Sequence, residues 1–171
     1  IKLNLNKILI LYYYNMSARK VPEKLENPID NYFIDIATIL NPVFYKIGFN
    51  ANGITTLSLI FGLLSCYLYY NKIYGISGII MIISYYFDVM DGNFARKYNM
   101  QSKFGDYYDH IKDFTVLFII VCLILLNKDL PLYLKISGGI IGLLLLFGTI
   151  THLGCIEKYV IHYNKKNKNK K

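Results

Sequence analysis

The sequence predicts an all-α protein: a polytopic bundle of about four membrane-spanning helices, preceded by an amphipathic helix at the membrane interface. Three observations predict it. Of the 171 residues 54% are apolar and the mean hydropathy is positive, which is high for a water-soluble domain. Four apolar segments stand out, at 54–70, 73–87, 114–126 and 130–150. Of the 19 Lys and Arg residues, only Lys72, Lys128 and Lys135 lie in the two turns that would face one side. The rest lie before residue 54, between 88 and 113, or after 151, an asymmetry that places both termini and the 88–113 segment on the cytoplasmic side.

The chain starts at Ile1, and its first apolar run, 8–14, is too short to span a bilayer and has no small-residue cleavage site after it. Residues 1–15 are therefore expected to be a leader outside the working protein, with Met16 opening a more ordinary stretch. Residues 16–53 read as a cytoplasmic segment carrying the interfacial helix. Asn27-Pro28 is an N-cap followed by proline at the first helical position. Ile29, Phe33, Ile36 and Leu40 then recur at helical spacing, while Asp30 and Asp35 fall elsewhere. A helix packed within a soluble core would show the same pattern. Asn41-Pro42 is expected to end it.

Residues 54–150 form the expected membrane domain. Two of its apolar segments fall short of the roughly 20 residues a bilayer requires. Helical spacing extends them, from Phe87 on into Ala95 and from Phe114 back to Gly105, so the charged residues between them sit on the ends of spanning helices. Residues 151–171 read as a basic cytoplasmic tail, whose low-complexity Lys/Asn run from Lys165 is a solvated charge run by default and a contact for anionic head groups by alternative. Cys66, Cys122 and Cys155 are odd in number and widely spaced, which argues against a disulfide framework and against zinc. The positive charges segregate by membrane side instead of forming one face, so no nucleic-acid partner is expected.

The charged segment holds the chemistry. With roughly 100° per helical residue, Asp91, Gly92 and Ala95 fall near −60°, +40° and −20° from Asp88, and Arg96 borders that face near +80°. About Asp109, Gly105 and Asp113 lie near −40° and +40° by the same arithmetic of about 100° per residue. Four aspartates on two helix ends repel one another unless cations neutralise them, and an all-oxygen donor set points to Mg²⁺ or Mn²⁺ rather than zinc. Gly92, Ala95 and Gly105 leave room for a ligand against the backbone, and Arg96 can meet a phosphate. The plainer alternative is interfacial polar residues capping two helices, with small residues for close packing. It suits Asp106, which lies off the stripe, and suits the aligned residues poorly.

The stretch DVMDGNFARKYNMQSKFGDYYDHIKD, residues 88–113, resembles the complete signature of the CDP-alcohol phosphatidyltransferases, D-x₂-D-G-x₂-A-R-x₈-G-x₃-D-x₃-D. Upstream, Asn52-Gly53-Ile54-Thr55 resembles the shorter Asn-x-x-Thr element that opens the first span of that family. The resemblance implies a six-helix core shortened here to four. It also implies two bound ions, Mg²⁺ or Mn²⁺: Asp88, Asp91 and Asp109 around one, and Asp88, Asp109 and Asp113 around the other. Gly92, Arg96 and Ser102 would contact the CDP moiety together with Asn52, Gly53, Ile54 and Thr55, and Asp113 would be the general base.

The implied activity is transfer of a phosphatidyl group from a CDP-alcohol, with CDP-diacylglycerol the expected donor, to an alcohol hydroxyl, releasing CMP. The expected partners are that donor, an alcohol acceptor and membrane lipids. Arg19, Lys20, Lys103 and Lys112 could hold a phosphorylated or polyol acceptor, or serve orientation alone. The Asp109-His110 pair resembles the choline/ethanolamine branch, in which diacylglycerol is the acceptor. His152 and His162 have no carboxylate partners at metal spacing. Four spans leave two readings open: a minimal, dimeric enzyme, or a truncated chain that keeps the signature without catalysis.

Overall fold

Asn27 opens the first helix as its residue type dictates: its Oδ1 accepts the Ile29 N–H at 3.1 Å, and Pro28 sits where a helical N–H would have no partner anyway. The structure is a computed structural model that describes residues 18, 19, 23, 26–145, 147 and 148. The expected leader, Lys20, the last residues of the fourth apolar segment, and the tail with Cys155, His152 and His162 lie outside the described residues. Among those described there are five helices and no strand.

Helix α1, Pro28–Lys46, does not end at Asn41-Pro42 as expected but runs through Pro42. Proline removes the N–H that would bond to the carbonyl four residues back, at Thr38. Lys97 Nζ donates to that carbonyl instead, at 3.1 Å, so a side chain from another helix completes the ladder. The face buried in the protein is centred beside the stripe expected to lie along the membrane surface. Ile34, Ala37 and Asn41 turn inward, whereas Ile29, Tyr32, Ile39 and Val43 are exposed and Phe33, Ile36 and Leu40 lie between.

Helix α2, Ala51–Tyr70, is capped by Asn50, whose Oδ1 accepts the Gly53 N–H at 2.7 Å. Helix α3, Tyr74–Lys97, helix α4, Lys103–Leu126, and helix α5, Leu132–Leu145, follow after short turns. Three of these connections begin alike, with a left-handed residue just past the helix: Gly48 at φ 91°, Lys72 at φ 66° and Asn99 at φ 54°. At each, the next N–H reaches back five residues, from Phe49 to Phe44, Ile73 to Leu68 and Met100 to Ala95, so that an end carbonyl is satisfied. The continuity expected from Phe87 into Ala95 and from Gly105 into Phe114 is present, since α3 and α4 carry the charged segment on unbroken helix.

Helices α2 and α3 are joined by hydroxyls. Ser58 Oγ donates to the Ser84 carbonyl at 2.9 Å and Ser84 Oγ returns the bond to Ser58 at 2.8 Å; Ser65 and Ser77 repeat the exchange at 2.8 and 2.9 Å. Such bonds need close backbones, which small side chains permit. Helix α1 packs on α3 around a core of Ala37, Ala51, Ile54, Met90 and Phe94. Within it Asn41 Nδ2 donates to Asn93 Oδ1 at 2.7 Å, both side chains being fully buried.

Many polar side chains are buried among the described residues, and many large apolar ones are exposed. Arg19, Asn41, Thr55, Asp91, Asn93, Lys112 and the four serines are buried, while Ile60, Leu63, Ile76, Ile79, Ile82 and Phe118 are among the many large apolar side chains exposed. One helix among the described residues, α2, is long and apolar enough to cross a membrane. Helices α3 and α4 have 24 residues each, but their apolar runs share the helix with charged residues, and α5 is shorter.

The chain divides into two units between Val116 and Leu117, within α4. The first contains α1, α2, α3 and the start of α4. In the second, α5 lies against the end of α4 where glycines make room: a Cβ at Gly142 would stand 2.8 Å from Val121 Cγ2, and one at Gly138 3.0 Å from Ile124 Cγ2.

Candidate active site

The last turns of α3 and the first turns of α4 each present an acidic stripe. Oxygens of Asp88, Asp91 and Asp109 lie within 4.8 Å of one another. Asp91 is only 6% exposed, and its Oδ2 is buried with no hydrogen-bond partner among the described residues. A buried carboxylate oxygen left this way is costly unless something neutralises it. Asp109 Oδ1 is likewise buried without a hydrogen bond, and three convergent carboxylates with two such oxygens fit a hard divalent cation, Mg²⁺ or Mn²⁺, which takes oxygen ligands and keeps several waters.

Asp113 stands apart from that trio. Its carboxylate is the most open of the set outside Asp91, 56% exposed against 26% for Asp88 and 31% for Asp109. Between them lies Lys112, whose buried ammonium is bonded to Asp88 Oδ1 and is 3.0 Å from both Asp109 Oδ1 and Asp113 Oδ1. Ser58 Oγ accepts a further bond from it at 3.3 Å, which ties the site to the serine pairs of the scaffold.

The remaining sequence-derived residues divide by position. Asn52, Gly53, Ile54 and Thr55 form the first turn of α2, where Asn52 Oδ1 would be 2.9 Å from a Cβ at Gly105. The lack of a side chain at Gly105 is what lets these two helix starts meet. Ser102 caps α4, its Oγ accepting the Gly105 N–H at 3.0 Å. Thr55 is buried and donates to the Ala51 carbonyl at 3.1 Å, and Ile54 packs in the core. Arg96 lies over Gly92, where a Cβ would be 3.3 Å from Arg96 Nη1, and Arg96 Nε donates to the Ala18 carbonyl at 2.7 Å. Ala95 packs at the edge of the core. His110 Nδ1 is 3.9 Å from Asp109 Oδ2, beyond hydrogen-bond range.

Two placements were not expected. Arg19, read from sequence as a group for the acceptor, is buried and bonded to Asn31 and, at 2.7 Å, to Asp35, so it ties the start of the chain to α1. Lys112, expected with Lys103 to hold the acceptor or to serve orientation, instead lies among the carboxylates, near −60° from Asp109 at roughly 100° per residue.

An all-helical scaffold with a carboxylate trio suited to a divalent cation, bordered by an arginine over a glycine, is the class that fold and site define. Residues 49–166 match the family model of the CDP-alcohol phosphatidyltransferases, and the chain belongs to that family. Its members are membrane-associated transferases that act on CDP-alcohols and use divalent metals. No curated protein and no solved structure matches the chain.

Proposed function

We propose that this protein is a membrane-embedded transferase that moves a phosphatidyl group from CDP-diacylglycerol to an alcohol hydroxyl and releases CMP. The observation that carries the reading is the convergence of Asp88, Asp91 and Asp109 on facing helix ends, within the stretch whose sequence resembles the family signature. The membrane setting is supported by the buried hydroxyls, amides and charges and by the apolar outer surface of α2 and α3. The exposed Ile29, Tyr32, Ile39 and Val43 of α1 suit a helix lying in the head-group region. Lys/Arg segregation supports a cytoplasmic site and termini, with four apolar segments crossing the bilayer.

A divalent ion bound at the trio would neutralise charge on the pyrophosphate and on the departing CMP. Arg96, whose guanidinium lies over Gly92, would pair with a phosphate, and Gly105, Ser102 and the first turn of α2 would frame the space for the nucleotide. Asp113, the exposed carboxylate, takes the proton of the acceptor hydroxyl at the oxygen that Lys112 does not hold. The hydroxyl oxygen then bonds to the phosphorus distal to cytidine as the bridging P–O bond breaks, the electron pair leaving with CMP. A second ion among Asp88, Asp109 and Asp113 would have to use the oxygens that surround Lys112.

The experiment offers CDP-diacylglycerol and CDP-choline separately to the detergent-solubilised protein, each with a panel of acceptors, and identifies the lipid formed. A phosphatidyl product from CDP-diacylglycerol supports the proposal. Phosphatidylcholine from CDP-choline and diacylglycerol would move the protein to the choline/ethanolamine branch, and no product from either donor would overturn transfer altogether.

A further inference from the structure

We infer that Lys112 is a built-in cation standing at the second ion position, so that this protein binds one divalent ion per chain instead of two. The inference rests on the divalent-ion reading of the aspartate trio and goes beyond it, because it assigns a count and names the residue that sets it.

The arrangement is that of a two-cation site with one cation covalently attached. Asp88 and Asp109 belong both to the trio with Asp91 and to the group with Asp113 that surrounds Lys112. Asp88, Asp109 and Asp113 all direct an oxygen at Lys112 Nζ, two of them at 3.0 Å. These are the carboxylates that a second ion would have to share. A divalent ion requires its oxygens at about 2.0–2.6 Å and would repel the ammonium at the same centre.

Lys112 is also held firmly. Its ammonium donates to Asp88 Oδ1 and to the Ser58 hydroxyl and forms ion pairs with Asp109 and Asp113. Its side chain is 2% exposed, so moving it aside would strip a buried charge of all its partners. The Asp91 Oδ2 atom has no partner that Lys112 supplies. Asp91 Oδ2, which Lys112 does not reach, thus marks the position for a diffusible ion, with Asp109 Oδ1 free of any hydrogen bond beside it, and the ammonium marks the position already filled by the chain.

The test counts ions. The full chain in detergent micelles, saturated with Mn²⁺ and freed of excess by gel filtration, should carry one Mn²⁺ per chain, with the electron paramagnetic resonance spectrum of an isolated ion. Lys112→Met, or Lys112→Gln should the first variant misfold, should carry two and show spin coupling between them. Two ions on the unaltered protein would overturn the inference whatever the variants do. One ion on both proteins would also overturn it, since Lys112 would then not be what excludes the second. No ion on either would instead remove the metal reading of the trio on which this one rests.

Discussion

The Lys97 ammonium, on the last residue of α3, donates at 3.1 Å to the Thr38 carbonyl, the acceptor that Pro42 leaves without its helical partner in α1. A proline inside a helix ordinarily costs about 3 kcal/mol or more, part of it the lost bond. Lys97→Met is expected to lower stability by about 1 kcal/mol. In a Pro42→Ala background, where the backbone N–H is restored, the same change should cost distinctly less. Thermal unfolding of the four proteins in detergent gives the coupling; equal losses in both backgrounds would show that the two features are independent.

The serine pairs make a second expectation. Ser84→Ala removes one bond of a reciprocal pair and should cost about 0.6–1.5 kcal/mol, the range for a hydrogen bond between packed helices. Ser84→Leu should cost more, because Ser84 Oγ already lies 3.2 Å from where a Cβ at Gly62 would stand, so a larger side chain has no space to enter. Unfolding midpoints measured by circular dichroism would rank the two.

Asp91→Asn separates the folding and binding roles of one carboxylate. Neutralising a buried, unpartnered oxygen should raise the unfolding midpoint of the metal-free protein. The same change should weaken Mn²⁺ binding by about two orders of magnitude, since one of three charged ligands is lost. In the unaltered protein, Mn²⁺ at about 100 times its dissociation constant should add about 2.7 kcal/mol, which EDTA removes. A variant that gains as much from Mn²⁺ as the parent would take Asp91 out of the ion site.

Much of this was legible in the sequence because it depends on local spacing. The one-face clustering of Asp88, Asp91, Gly92 and Ala95 follows from 3.6-residue periodicity, and so does the cap at Asn27. What was not legible depends on partners distant in sequence. Pro42 reads as a helix end until Lys97, 55 positions further on, is known to reach Thr38. The inward face of α1 was not legible, because burial here selects Asn41, which meets Asn93, and leaves isoleucines outside. Lys112 lies within the acidic stripe by helical arithmetic, but its sequence position carries the orientation signal equally well, so its place among the carboxylates is seen only in the structure.

The central claim is most directly tested by CMP release from CDP-diacylglycerol, with Mg²⁺ or Mn²⁺ and an acceptor mixture, by the unaltered protein and Asp113→Asn side by side. The predicted result is metal-dependent release that EDTA stops and that Asp113→Asn lowers by about 10²- to 10⁴-fold while donor binding persists. Release unaffected by EDTA, or equal in the two proteins, would contradict the account.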